Sequence, residues 1–174
     1  MKISISVKTA FLFFLLTVLS FFILSCSPDQ ENLEIGDRAP DFTLKDLDGN
    51  TISLSNYTGS PVILRFFLTD CKFCRADTPV FNNYYDRYKS QGLKIIYIDS
   101  LGVDRTILTA FKRELAIPFP IAVDPAGRAA GQYKVKAMPQ TIILNPQLEI
   151  IAAILGGVSE EELNRTLSPY ITYE

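Results

Sequence analysis

The chain has 174 residues, and its 17 basic and 19 acidic side chains give a formal net charge of −2. This balance argues against nucleic-acid binding, which uses an excess of lysine and arginine to contact phosphates. With three cysteines and no histidine, the chain also falls short of the four cysteine or histidine ligands of a closed zinc site.

Residues 1–25 are typical of a lipoprotein-type signal peptide. Lys2 and Lys8 lead into an uncharged, largely apolar run from Thr9 to Ser25. At about 1.5 Å per residue such a run spans roughly 25 Å, which is short for a bilayer core of about 30 Å. A removed signal peptide is therefore favoured over a permanent anchor.

The signal peptide ends in a segment from Ile23 to Cys26 that resembles a bacterial lipobox. The resemblance implies that Cys26 is lipidated and becomes the first mature residue; the alternative is a cysteine that stands there by accident. Several acyl chains on one residue would anchor the protein stably. Residues 26–34 then form a polar tether, and residues 35–174 have the usual size of one domain.

Two apolar–polar alternations near the start of this domain predict a β-hairpin. Phe42 and Leu44 alternate with polar residues before Gly49, and Ile52 and Leu54 resume the alternation after it. Glycine between two alternating segments is typical of a hairpin turn.

The apolar run from Val62 to Leu68, interrupted only by Arg65, predicts a buried strand. Cys71 and Cys74 follow where the strand gives way to a helix. In open α/β folds this carboxyl end of the sheet is the usual place for a functional site.

Two cysteines at this spacing have three interpretations. A structural disulfide between residues so close in the chain would stabilise the fold by only about 2 kcal/mol in the chain-entropy model. A disulfide that closes a loop of about 100 residues would stabilise it by roughly 4.7 kcal/mol. A metal site would need further ligands. In thiol–disulfide exchange, unpaired N–H groups and the helix dipole would favour the Cys71 thiolate, and Cys74 would be the resolving thiol. The position of the pair fits the third interpretation best.

Strands and helices alternate through the rest of the chain. Helices are predicted from the cysteines to about Ser90, over Arg105–Leu115 with Asp104 as N-cap, and after the capping box of Ser159 and Glu162; strands are predicted over Leu93–Asp99, Phe119–Val123, Thr141–Leu144 and Leu148–Leu155. Ile107, Leu108, Phe111 and Leu115 are expected to face the core. This order predicts an α/β domain with a central mixed sheet covered on both faces.

A strand, the sequence Cys-Lys-Phe-Cys and a helix containing Pro79 together resemble the thioredoxin superfamily. Met138-Pro139 before an apolar run resembles its cis-proline loop, and APDFTLKDLDG resembles the extension shared by TlpA/ResA-type proteins and peroxiredoxins. The resemblance implies a thioredoxin-like fold with an N-terminal hairpin extension. It also implies a cis bond before Pro139, which would face the cysteines and help to hold a partner chain.

The chain departs from this family at several positions. Asp70 stands where the family usually has tryptophan, and Lys72-Phe73 replaces the more familiar pairs containing proline. The family also carries a buried acid near the motif. Asp104 is the first candidate for it and Asp99 the second, although Asp104 is equally well explained as a helix cap.

These features lead to the hypothesis of a lipid-anchored thiol–disulfide oxidoreductase in a bacterial cell envelope, outside the cytoplasm. Cys71 would attack a protein disulfide and Cys74 would resolve the adduct. The resemblance favours reduction of protein disulfides, in cytochrome c maturation or thiol repair, by a monomer that a membrane donor re-reduces. No cofactor or metal is expected.

Two alternatives remain open at this point. A peroxiredoxin-like peroxidase would use the same fold, but that family has threonine where this chain has Leu68. A non-catalytic Cu(I)-binding module would use the soft ligands Cys71, Cys74 and Met138. The copper-handling relatives of this fold use a wider cysteine spacing and a histidine.

Overall fold

The computed structural model describes residues 33–172, so that the predicted signal peptide, Cys26 and most of the tether lie outside it. Strands and helices alternate over this range. They are β1 (Thr43–Asp46), β2 (Thr51–Ser53), β3 (Val62–Phe66), α1 (Lys72–Tyr88), β4 (Lys94–Asp99), α2 (Arg105–Glu114), β5 (Ile121–Val123), α3 (Arg128–Gln132), β6 (Gln140–Leu144), β7 (Ile150–Leu155) and α4 (Glu160–Leu167). None of these helices is long and apolar enough to cross a membrane.

The strands form one mixed sheet in the order β2-β1-β5-β4-β3-β6-β7. β3 lies inside it, parallel to β4 and antiparallel to β6. The predicted hairpin is confirmed as β1 and β2, and β1 also pairs with β5, so that the hairpin extends the central sheet. The α/β, thioredoxin-like architecture expected from the sequence is confirmed.

Two apolar cores cover the two faces of the sheet, because side chains alternate across each strand. Ile63 and Phe67 of β3 and its continuation pack in the core that contains Cys74 and Phe81 of α1. Val62, Leu64 and Phe66 pack on the opposite face. Arg65 shares its face with Ile63 and Phe67, and therefore points toward α1.

Most element boundaries agree with the sequence to within two residues. α1 ends at Tyr88 and continues as a short 3-10 helix, Lys89–Gln91, before Gly92 at φ 95°. The expectation that Ile107 faces the core is wrong, since its side chain is 53% exposed. Successive helical residues are rotated by about 100°, and the buried stripe of α2 is centred on Leu108 and Phe111, which turns Ile107 toward solvent.

Candidate active site

The two cysteines lie where β3 has ended and α1 begins. Cys71 is the N-cap residue of α1, with an extended backbone at φ −73° and ψ 118°, and its sulfur accepts the Cys74 N–H at 3.4 Å. Cys71 is partly exposed, whereas Cys74 is buried, and both are free thiols. The pair is therefore accessible from one side only, through Cys71.

The start of α1 places positive partial charge near the Cys71 sulfur. The first backbone N–H groups of a helix have no partner within the helix, and the helix dipole is positive at that end. The first turn of α1 contains Lys72 and no acidic side chain. Asp70, the acid that precedes the pair, is exposed to solvent, which screens its charge.

Cys74 has the opposite environment. Burial raises the pKa of the Cys74 thiol to about 12, against the smaller lowering effects of the Leu68 N–H and the Arg65 guanidinium. Only 1% of Cys74 is exposed. At neutral pH it is a protonated thiol that an external disulfide cannot reach.

The cis-proline loop lies at the same end of the sheet as the two cysteines. The Met138–Pro139 peptide bond is cis, as the family resemblance implies. β6 begins immediately afterwards at Gln140, which pairs with Phe66 at the carboxyl end of β3. The cysteine loop and the cis-proline loop therefore follow and precede neighbouring strands, with Pro139 buried and Met138 partly exposed.

The two acids selected from the sequence differ in their surroundings. Asp104 is exposed, caps α2 through the Thr106 N–H at 2.8 Å, and has a pKa lowered by its hydrogen bonds with Thr106. Asp99 is buried at the end of β4, where its carboxylate accepts the Val103 N–H at 3.0 Å and shapes the following loop. Burial raises the pKa of Asp99. Both carboxylates thus have local structural partners.

A third acid, Asp77, lies on the buried face of α1, one turn after Cys74. The sequence analysis did not select it as a site residue. Its side chain pairs with the guanidinium of Arg65, which is fully buried. Burial raises the pKa of Asp77, and the Arg65 charge opposes that shift. Two features of the sequence indicate this pair. One is the charged Arg65 inside the apolar run of β3. The other is the spacing of three residues between Cys74 and Asp77, which places these two side chains on one face of the helix.

Hydroxyl groups lie between this ion pair and Cys74 along the sheet. The Thr78 hydroxyl donates to the Cys74 carbonyl oxygen at 2.6 Å and lies 3.2 Å from the Tyr97 hydroxyl. Tyr97 and Thr141 flank Arg65 on the neighbouring strands. A polar row that crosses three strands thus lies beneath the first turns of α1.

Three exposed apolar side chains lie at the same carboxyl end of the sheet as Cys71. Phe73, between the two cysteines, is 55% exposed, with the Lys72 ammonium 5.1 Å from its ring centroid. Leu155 ends β7, opposite Gln140, and Leu101 lies in the loop after β4; both are exposed. These residues give the rim of the site an apolar character suited to polypeptide contact.

The described part of the chain contains no cluster of three or more histidine, cysteine or acidic side chains placed to hold a metal ion. The chemistry that the site offers comes from its two thiols and from the buried Arg65–Asp77 pair. Such a dithiol can exchange with a disulfide without a bound cofactor.

Known proteins with a similar sequence or fold are named for thiol–disulfide exchange. The model of the AhpC/TSA family matches residues 35–153. Thiol-disulfide oxidoreductase ResA of Bacillus thuringiensis (strain Al Hakam) is 32% identical over 135 residues, 78% of each chain. ResA of Geobacillus kaustophilus (strain HTA426) is 31% identical over 161 residues, 92% of each chain. The crystal structure of a proposed thiol:disulfide interchange protein DsbE from Chlorobium tepidum has a TM-score of 0.73 and 28% identity, covering 79% of this chain and 98% of its own.

Proposed function

The chain belongs to the AhpC/TSA family and is a thiol–disulfide oxidoreductase of the ResA type, and on that premise we propose that Cys71 and Cys74 are its redox pair. The observation that carries this proposal is their asymmetry. One thiol is accessible at a helix N-terminus and the other is buried one turn further on. Attack and resolution need these two environments.

The reaction proceeds through a mixed disulfide. The Cys71 thiolate attacks one sulfur of a substrate disulfide, and the other substrate sulfur leaves as a thiolate. Cys74 then loses its proton and attacks the Cys71 sulfur, which releases the second substrate thiolate. The substrate is reduced by two electrons, and the enzyme is left with a Cys71–Cys74 disulfide.

Asp77 is the supporting acid of this reaction and takes the Cys74 proton. It lies one turn from Cys74 on the same buried face of α1, and one of its carboxylate oxygens, Oδ1, has no hydrogen-bond partner. Asp104 is less suitable because it is exposed and caps α2. Asp99 is second to Asp77, since backbone N–H groups of its own loop occupy its carboxylate.

The substrates are protein disulfides held between the cis-proline loop at Met138-Pro139 and the apolar rim of Phe73. The protein is a monomer that is lipid-anchored through Cys26, with its domain outside the cytoplasm of a bacterial cell. A membrane donor supplies the electrons, because an oxidising compartment does not keep a dithiol reduced. The lipobox resemblance supports the lipid anchor, and the relatives' name, thiol-disulfide oxidoreductase, supports the disulfide substrate.

The proposal is tested by insulin reduction with dithiothreitol as electron donor. The wild-type chain should accelerate the reduction, and Cys71→Ser should reduce the rate to that of dithiothreitol alone, because no other accessible thiol is present in the described domain. A full rate for the Cys71→Ser variant would contradict the assignment of the nucleophile. The reduction potential then gives the direction: a value near −270 mV, about that of thioredoxin, indicates a reductant, and one near −120 mV an oxidant.

A further inference from the structure

Arg65 is a charged residue in an unusual place. It lies in the middle of β3, between β4 and β6, and is 0% exposed; no other lysine or arginine between residues 33 and 172 is buried. Removing a guanidinium from water costs several kcal/mol unless its partners compensate. An apolar residue would fill this strand position at no such cost.

The Arg65 side chain binds three elements at once. One terminal nitrogen pairs with the Asp77 carboxylate, and the other donates to the Thr141 hydroxyl and, at 3.0 Å, to the Gly156 carbonyl oxygen. The Phe81 ring lies 5.1 Å from the guanidinium carbon. Within this cluster the Arg65 Nε and the Asp77 Oδ1 are buried and have no hydrogen-bond partner. The ion pair therefore retains one open donor and one open acceptor.

The same contacts connect the two halves of the active site. The Gly156 N–H donates to the Pro139 carbonyl oxygen at 2.8 Å, and the Val158 N–H donates to the Asp77 carboxylate at 3.0 Å. The loop after β7 thus binds the cis-proline loop on one side and the Arg65–Asp77 pair on the other. Arg65 lies between the loop assigned to the substrate and the helix that carries Cys74.

We propose that Arg65 is a positioning residue for the resolving step, whose buried positive charge keeps Asp77 ionised as the proton acceptor and stabilises the Cys74 thiolate during its attack. This inference rests on the proposed function, in which Cys74 resolves the mixed disulfide. An accepting carboxylate must be charged before the step, and a neighbouring cation favours the charged form of a buried carboxylate. The Arg65 charge also lowers the pKa of Cys74.

The resolving step needs no reactant besides the chain and its bound substrate. The Cys74 proton moves to the Asp77 carboxylate, the Cys74 thiolate forms a bond to the Cys71 sulfur, and the bond from Cys71 to the substrate sulfur breaks. The substrate sulfur leaves with the electron pair as a thiolate. Arg65 keeps its charge throughout, so that the cluster changes from a neutral ion pair to a cation beside a protonated acid while the attacking thiolate is present.

The test follows the two sulfur transfers separately. Equimolar dithiobis(nitrobenzoate), an aromatic disulfide, reacts with the reduced chain in a stopped-flow instrument. Attack by Cys71 releases the first coloured thiolate, and resolution by Cys74 releases the second. Arg65→Gln, which keeps hydrogen-bonding capacity and removes the charge, should slow the second release at neutral pH by about tenfold or more and move its pH midpoint upward. Arg65→Lys, which keeps the charge, should stay near the wild-type rate.

The first release should be unchanged in both variants, because Arg65 pairs with Asp77, which lies one turn beyond Cys74 on α1. Arg87→Gln is the matched control: Arg87 is an exposed arginine of α1 that pairs with Glu160, and both releases should keep their rates. Equal slowing by Gln and Lys, or equal slowing of both releases, would mean that Arg65 serves packing alone and would overturn the inference.

Two further outcomes are also decisive. If Arg65→Gln does not fold, Arg65→Lys decides alone: a retained second release supports the inference, and a slowed one overturns it. A wild-type chain that releases only one thiolate would refute the proposed redox pair itself, and the inference with it. Two releases in the wild type that Arg65→Gln leaves unaltered would refute the inference only.

Discussion

Cys71 and Cys74 are three residues apart, yet they differ in access, which is one of the properties that determine thiol reactivity. The sequence predicts this difference because Cys71 stands at the start of the helix, whereas Cys74, one turn later, can face the core. It did not reveal Asp77. Whether an acid in an amphipathic helix lies on the buried or the exposed face depends on its partner, and Arg65 is 12 positions away in the chain.

Alkylation of the reduced protein should be confined to Cys71. Burial raises the pKa of Cys74 to about 12, so that the thiol stays protonated at pH 7, and the same burial blocks access to it. Iodoacetamide followed by peptide mass mapping should label Cys71 fully before Cys74. In urea, where burial is lost, both should react, which provides the control. Native labelling of the two sites at similar rates would contradict the burial of Cys74.

Cap residues and apolar periodicity in the sequence predicted where the helices lie. They did not fully predict which apolar residues of each helix are buried. Asp104 before α2 and Ser159 with Glu162 before α4 were predicted to begin helices, and the structure confirms both. Gly92 ends the short 3-10 helix that follows α1. Ile107 was placed in the core of α2 because it is apolar. The helix turns it away from the sheet, and apolar character alone does not distinguish a rim residue from a core residue.

Leu108 and Ile107, which are neighbours on α2, should respond differently to truncation. Leu108→Ala creates a cavity at a side chain that is 0% exposed and should lower the free energy of unfolding by about 2–5 kcal/mol. Ile107→Ala removes an exposed side chain and should change it by less than about 0.5 kcal/mol. Urea unfolding of the two variants compares them directly. Similar losses would contradict the packing of α2 described above.

At the scale of the whole molecule, the alternation of strands and helices predicted the α/β class, and the family resemblance implied the thioredoxin-like architecture. The strand order could not be read from local patterns. β1 lies beside β5, with Lys45 opposite Val123, and nothing in either short segment identifies the other as its partner. Pairings between segments so far apart in the chain depend on the whole domain, which buries both faces of the sheet.

The proposed lipid anchor is tested in cells that express the full chain. A bacterial host that expresses the full chain and is fed radiolabelled palmitate should incorporate label into it, and Cys26→Ser should abolish that label. Cys71→Ser should keep the label, and the purified Cys26→Ser chain should keep its thiol exchange, because the proposed exchange uses only Cys71 and Cys74. Label retained in Cys26→Ser would contradict lipidation at this residue.

If Cys71 attacks a protein disulfide and Cys74 releases the product, then removal of Cys74 should trap the mixed disulfide. Cys74→Ser protein, incubated with insulin and quenched in acid, should form a covalent adduct that disappears on addition of dithiothreitol. Peptide mass mapping should locate the linkage at Cys71, while the wild-type chain should accumulate little adduct. An absent adduct, or one that persists in a Cys71→Ser, Cys74→Ser double variant, would contradict the account.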